Sequence, residues 1–563
     1  MGIKSIIPSQ VLNSRGEPTI KVEMLSEDGK SADFVVPGGA SVGKDEAVKK
    51  FDQSDSYGGK SVNDNVATIN KIIAPKFIGY PLGHQEDFDS LLIALDGSEN
   101  KQNLGSNTIL ALSGAYFKLS AELSDKPLWQ YIAELLKASP EFPRIFANLV
   151  GGGKHAPGLD IQEFMIVPKT NKPNEAIEQI VQTYQTIKTI MMSLYGPTAK
   201  LSGDEGAIAP VGARTEVVLE ALSNLNEKSE KKFDISLDVA ANSFYDGKSY
   251  SFEGQNIHAS DLMAVYQDWN SKFGLFSIED PFAETDLEGL ELLKTMTKDK
   301  KSFMVIGDDF TVTNANKINE FAQNKIIDGV IIKPDQVGSI TEMFNALIAA
   351  KSSGLKVIIS HRSGESNDDF IVDLAYGSGA DGIKIGAPNR GERISKYNRL
   401  LDIENSLGTN QQATLNQNIE ASTPTLTPID NQKPAGDSTG TSSKEVIDTQ
   451  SNAMNTPSQA KDLHLGAFTS ERQGGAPQAS MKESIETDHN EKSSTLNSAT
   501  PTPKDMPDIN DVRINPPENP IPIVNNEAQE NPSGFQGAAH TLNPTSRAED
   551  NKSNNSPRPT LST

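Results

Sequence analysis

The chain has 563 residues, a formal net charge of −23, a pI near 4.8 and no cysteine. Thiol catalysis, thiolate metal sites and a disulfide framework are excluded, and the acidic balance argues against nucleic acid or an anionic membrane as a general partner. The opening MGIKSIIPSQ is too short an apolar run for a signal peptide, Ile6 stands where a myristoylation signal needs Ser or Thr, and no run approaches a membrane span, so a cytoplasmic protein without a membrane segment is expected.

In chain order, PTIKVEML alternates Ile20, Val22 and Met24 with Lys21 and Glu23, the period of a half-buried strand. Asp28-Gly29 then turns the chain into ADFVV, which predicts a hairpin. Val66, Ile69, Ile72 and Ile73 share one face of a helix starting after Asn63, and LGSNTILALSGAYFKLSAEL reads as a long, mostly buried helix. These elements predict a small α+β domain over residues 1–135. From about residue 140 short buried runs alternate with helical stretches: DISLD, LFSIED, FMVIGDD, GVIIK, VIISHR and GIKIG. Between them SITEMFNALIAAKSSG places Met343, Phe344, Leu347 and Ile348 on one side. Repeated βα units imply a parallel sheet, open or closed, over residues 136–408.

After Gly408 the composition shifts to Asn, Ser, Thr, Gln and Pro. Residues 409–563 hold 16 of the 32 prolines, two aromatics (Phe468 and Phe535), and 19 acidic against 11 basic residues. Such a segment buries too little apolar area to offset chain ordering and is expected to be a disordered tail. Composition names no partner for it.

The predicted barrel strands end in Asp238, Glu279, Asp308, Lys333, His361 and Lys384, at intervals of 41, 29, 25, 28 and 23 residues. One charged residue after an apolar run is usually a mere strand exit, but six in succession suit a closed barrel, whose C-terminal tips converge on one face. Asp238, Glu279 and Asp308 offer only oxygen ligands and suit a hard cation, Mg²⁺ foremost; an acidic rim neutralised by Lys and Arg is the plainer alternative. Lys333, crowded by such a metal and another lysine, could lose its proton and act as a base, or be an ordinary salt-bridge partner.

NSRGEPT, PGGASVG, LGSNTILALS, GGGKHAPGLDIQEFM, GDEGAIAP, SLDVA, SIEDPFAE, GDDFTVTN, IIKPDQVGSITE, SHRSGE and KIGAPNRGER succeed one another in the chain. Together they resemble the enolase family over residues 1–408, with a long C-terminal extension beyond. The resemblance implies a TIM-type β/α barrel with an antiparallel second strand, capped by a smaller N-terminal α+β domain. It implies a Mg²⁺-dependent lyase of glycolysis, interconverting 2-phosphoglycerate and phosphoenolpyruvate, with two Mg²⁺ per site and a homodimer or larger homo-oligomer.

By the same resemblance, Asp238, Glu279 and Asp308 match the ligands of one Mg²⁺ and Ser41 the closing-loop group at the second. Lys333 matches the base that takes the proton next to the carboxylate. Glu205, with Glu163 beside it, matches the acid at the departing hydroxyl, and Lys384 the cation facing the carboxylate. Arg362 and Ser363 match the phosphate binders, while His155, Gln162 and His361 line the same pocket. An acid-sugar dehydratase of the same superfamily and a scaffold protein working through its tail are the competing readings. Glu17, Gly38, Val42, Ala207, Ser243 and Asp335 depart from the family's usual Asn, Ser, Thr, Gly, Glu and Asn. Asp335 is expected to place negative charge near Lys333 and raise its pKa.

Overall fold

The structure, a computed structural model, describes residues 1–39, 43–298 and 303–422, which fall within one compact unit spanning Met1–Pro434. The N-terminal part opens on an antiparallel sheet, β1 (Ile3–Leu12), β2 (Pro18–Ser26) and β3 (Ser31–Val35), in that order. The predicted hairpin is β2–β3; the opening strand β1 is not among the predicted elements, because its apolar side is interrupted by Pro8 and Ser9. Helix Ser106–Leu123 lies on this sheet, almost wholly buried. Gly114 permits the approach: a Cβ there would come within 2.5 Å of the Phe34 ring.

Two side chains face away from their expected direction. The helical stretch after Asn63 contains a π turn at Ile69–Ile73, and Ile72 is half exposed while Ile69 and Ile73 are buried. The extra residue of a π turn shifts the helical phase, so a 3.6-residue period misplaces the side chains beyond it. Ile348, in helix Ile340–Ser352, also faces solvent, because Met343, Ala346, Leu347 and Ala350 define the buried stripe.

The second part is a closed eight-stranded barrel. Its strands are β4 (Arg144–Gly151), β5 (Glu163–Pro168) and β6 (Phe233–Asp238), then, after the small hairpin β7 (Tyr250–Phe252) and β8 (Gln255–Ile257), β9 (Leu275–Glu279), β10 (Met304–Gly307), β11 (Gly329–Ile332), β12 (Lys356–Ser360) and β13 (Gly382–Lys384). Only β5 runs antiparallel to its neighbours β4 and β6; the other pairs are parallel. Alternation sends Phe146, Met165, Val167, Ile306, Ile331 and Ile358 into one cluster that fills the barrel, while the opposite faces join the larger core under the helices.

The last helix runs Gly391–Ser422, past the boundary expected at Gly408. Residues 423–563, most of the segment expected to be a disordered tail, lie outside the described residues. Among the described residues no helix is long and apolar enough to cross a membrane.

Candidate active site

Strand register assembles the site. Across the barrel rim Gly151 faces Glu163, Glu163 faces Asp238, and Asp238 faces Glu279, so three carboxylates stand on consecutive strands. Because β5 is antiparallel, its first residue, Glu163, reaches the rim where the other strands end. Asp308 follows β10, Lys333 follows β11, His361–Ser363 follow β12, and Lys384 ends β13 opposite Ser360. His155 and Glu205 come from loops between strands. One pocket is lined by His155, Gln162, Glu163, Glu205, Asp238, Lys333, His361, Arg362, Ser363 and Lys384. Glu279 and Asp308 join it through ion pairs, Glu279 with Lys384 and Asp308 with Lys333. Ser41 lies outside the described residues.

The pocket is tight, about 20 Å³, whereas a cavity of about 590 Å³ lies at the other barrel mouth beside Arg144, Asp234 and Asp381. Converging ionisable groups, not room, mark the site.

Lys384 is its electrostatic centre. Its Nζ lies 3.0 Å from Asp238 Oδ2, 2.9 Å from Glu279 Oε2 and 3.1 Å from Glu163 Oε1, all nearly sealed from solvent. Burial disfavours its charge, yet these carboxylates outweigh burial and hold the ammonium well above the usual lysine range. Glu279 is pushed well above the carboxylate range, first by burial and then by Asp238.

Lys333 donates to Asp308 Oδ2, and Gln336 Nε2 donates to Asp308 Oδ1 at 2.9 Å. Burial works against the charge of Lys333, but the Asp308 carboxylate prevails and keeps the lysine protonated, while Arg362 and Lys384 oppose it. Asp280 fixes the Asp308 turn by accepting the backbone N–H groups of Asp308 and Asp309 at 2.9 and 2.7 Å. Sequence reasoning gives Asp280 and Gln336 no role. Their only signal is position, one residue after a strand tip and three residues after Lys333.

Glu163 and Glu205 share a second cluster with His155, their polar atoms within 4.8 Å of one another. Burial first, then the charge of Glu205, raises Glu163 well above the carboxylate range. Glu205 meets the same burial but is drawn well below that range by the surrounding His155, His361 and Arg393, and Asn148 Nδ2 donates to it at 3.0 Å. The two glutamates therefore divide one proton, with Glu163 holding it.

Arg393, fully buried, contacts His361 Nδ1 at 2.6 Å. A guanidinium only donates, so Nδ1 accepts and the neutral ring carries its proton on Nε2, which lies 3.4 Å from Glu205 Oε1. Arg393 also donates to the carbonyls of Arg362 and Ser363, both at 2.7 Å, and so shapes the whole tip. It is a further residue without a role in the sequence reading, visible only as the second Arg of PNRGER.

Arg362 lies under the N-terminal part, its Nη2 3.2 Å from Glu46 and its Nη1 3.3 Å from Asp335. A Cβ at Gly39 would overlap Nη2, so a side chain there would push the guanidinium from this position. Asp335 directs its carboxylate to Arg362 and Lys49, and the expected interaction with the Lys333 charge is present behind these two stronger ones.

Asp238, Glu279 and Asp308 are buried oxygen donors at neighbouring strand ends, the ligand type that a hard divalent cation takes. Among the described residues the His and acidic groups whose ligand atoms lie within 4.8 Å of one another are His155–Glu163–Glu205 and Asp280–Asp308–Asp309, so only Asp308 of the expected three stands in such a cluster. Buried Gln162 Oε1 and Glu163 Oε2 beside them make no hydrogen bond.

Comparison with known proteins decides the family. Residues 3–132 match the enolase N-terminal domain and residues 140–421 the enolase C-terminal TIM barrel domain. The chain belongs to the enolase family. It is 40% identical to the enolase of Methanococcus vannielii over 425 residues, 74% of this chain and 98% of that protein. Against the Ehrlichia canis enolase it is 38% identical, covering 72% and 96%, and against that of Aeropyrum pernix 39%, covering 71% and 93%. The corresponding activity is that of a lyase, the reversible dehydration of 2-phosphoglycerate to phosphoenolpyruvate, which sets aside the scaffold and acid-sugar readings.

Proposed function

We propose that this enolase performs the dehydration with Lys333 as base and the Glu163–Glu205 pair as acid, on opposite sides of a substrate whose carboxylate faces Lys384. The observation that carries the reading is the grouping of charge within one pocket: Lys333 held by Asp308, Lys384 among Asp238, Glu279 and Glu163, and a Glu163–Glu205 pair sharing one proton, with Glu163 common to both groups. Asp238, Glu279 and Asp308 would hold Mg²⁺, with the Ser41 loop serving a second ion. Bound there, the metal would supply positive charge to the carboxylate as negative charge builds up on it.

Lys333 Nζ takes the proton from the carbon next to the carboxylate. For that it must first release its own proton to solvent, which its ion pair with Asp308 resists and which the nearby charges of Arg362 and Lys384 favour; Asp308 would hold the lysine less firmly where it also held a cation. Lys384, held protonated by its carboxylate partners, offsets the charge that develops on the substrate. Glu163 supplies the proton that leaves with the β-hydroxyl, and Glu205, oriented by Asn148 and faced by His361, receives the next one. Arg362 and Ser363 grip the phosphate, a guanidinium fork and a hydroxyl suited to its oxygens. A homodimeric state and a cytoplasmic location belong to the same proposal on the strength of the family.

The test is formation of phosphoenolpyruvate from 2-phosphoglycerate with and without Mg²⁺, read alongside exchange of the α-proton in deuterated water. Lys333→Ala should lose both signals by about a thousandfold or more, whereas Glu163→Gln and Glu205→Gln, each of which breaks the proton-sharing pair, should lose product formation and keep exchange. Turnover that survives in Lys333→Ala would overturn the assignment.

A further inference from the structure

Asp335 stands where the family pattern has a neutral residue, and its surroundings explain how a buried charge is tolerated there. Its carboxylate is about 1% exposed and lies between two cations, Lys49 Nζ at 2.7 Å and Arg362 Nη1 at 3.3 Å. Arg362 in turn meets Glu46 at 3.2 Å. Lys49, Asp335, Arg362 and Glu46 thus form a row of alternating sign with no net charge.

Both ends of the row are fixed by backbone. Asp335 sits in the short turn Pro334–Val337 that directly follows Lys333. Lys49 arrives on a stretch of the N-terminal part anchored by Ala47 N–H to the Gln336 carbonyl at 2.8 Å, Val48 N–H to the Asn100 carbonyl at 2.9 Å, and Lys50 N–H to Asn107 Oδ1 at 3.0 Å.

A carboxylate on a phosphate-binding guanidinium has opposite consequences. It fixes the plane of the fork, and it also competes with phosphate for the same charge. A second carboxylate on Arg362, beyond Glu46, would cancel its positive field unless a further cation answered it.

We propose that Lys49 and Asp335 act as one positioning unit, in which Asp335 sets the plane of Arg362 and Lys49 takes up the added negative charge, so that Arg362 keeps its pull on a phosphate monoester. This rests on the reading of Arg362 as the phosphate group's partner. Neither residue is required to touch the reacting atoms, so the effect belongs in substrate affinity rather than in turnover.

The experiment measures KM for 2-phosphoglycerate and inhibition by inorganic phosphate in the wild type, Lys49→Met, Asp335→Asn and the double variant. Lys49→Met should raise KM and the phosphate inhibition constant together by about tenfold, with kcat within about twofold. The double variant should return both to within about threefold of wild type, and Lys49→Arg should hold them there. An unchanged KM in Lys49→Met, or a double variant as impaired as Lys49→Met, would overturn the proposal. A purely structural pair would lower the thermal midpoint and leave KM in place, which also counts against it. Should the wild type fail to turn over, the reaction assignment fails instead, and calorimetry with inorganic phosphate on the same proteins still decides the coupling.

Discussion

The two mouths of the barrel carry similar residues under opposite conditions. At the N-terminal mouth Arg144 and Lys169 pair with Asp234 at 2.7 and 2.9 Å, and Lys356 pairs with Asp381 at 2.7 Å. The Lys356 side chain is 56% exposed, whereas Lys384, at the far end of the short strand that Asp381 precedes, is 3% exposed. Water screens the Lys356–Asp381 pair, which is worth about 0–1 kcal/mol, while Arg144 and Asp234 are partly covered. The set around Lys384 has given up its hydration, and the lysine retains its charge only because the carboxylates around it answer it. One barrel thus uses the same chemistry as a solvated edge at one end and as a reactive centre at the other.

The largest break in that comparison is Lys384→Met. It leaves Glu163, Asp238 and Glu279 without the cation among them and should cost about 3–5 kcal/mol of stability in metal-free buffer, together with activity. Urea unfolding checks it. A loss below about 1 kcal/mol would put Lys384 in the same class as Lys356 and erase the distinction between the mouths.

Much of this contrast is legible in the sequence, and the unread part has physical causes. The six strand tips are visible because buried parallel strands read as apolar runs, against which a terminal charge stands out. Strands β4 and β5 are not among those runs. RIFANLVG and EFMIVP are apolar, but β5 carries its functional residue at its start, and a search for charged ends passes over Glu163. Its place comes from the family resemblance. Asn148, Asp280, Gln336 and Arg393 escape because they act by hydrogen bonding to groups distant in the chain, and such partners leave no periodicity. Asp335 stands out as unusual, and sequence proximity to Lys333 finds only the weaker of its interactions. The stronger ones are with Arg362 and with Lys49, which the fold brings from across the molecule.

A sharper probe of the buried set is its response to acid. Burial, reinforced by Arg393 and opposed by Glu205, pushes His361 from 6.5 down to about 4. The unfolded chain therefore binds a proton at this histidine before the folded one does. Stability falls as pH drops from about 6.5 to about 4 and this contribution levels off below, a loss on the order of 2–3 kcal/mol. Glutamine at this position can still accept from Arg393 and face Glu205 with its amide. His361→Gln should accordingly flatten the acid limb of the melting profile between those pH values. An unchanged slope would mean that His361 is charged in the folded state, and the neutral ring with its proton on Nε2 facing Glu205 would have to give way to an imidazolium.

The smallest effect is the control that gives the others meaning. Asp381 Oδ2 accepts the Val357 backbone N–H at 3.0 Å, so this carboxylate has a structural bond that does not involve the lysine. Lys356→Met therefore removes only a screened ion pair and should change stability by no more than about 0.5 kcal/mol, read by the same urea titration. A loss of several kcal/mol would show that the N-terminal mouth is held by its charges as firmly as the active face. The difference between the mouths would then lie in what the charges touch, since exposure would no longer separate them.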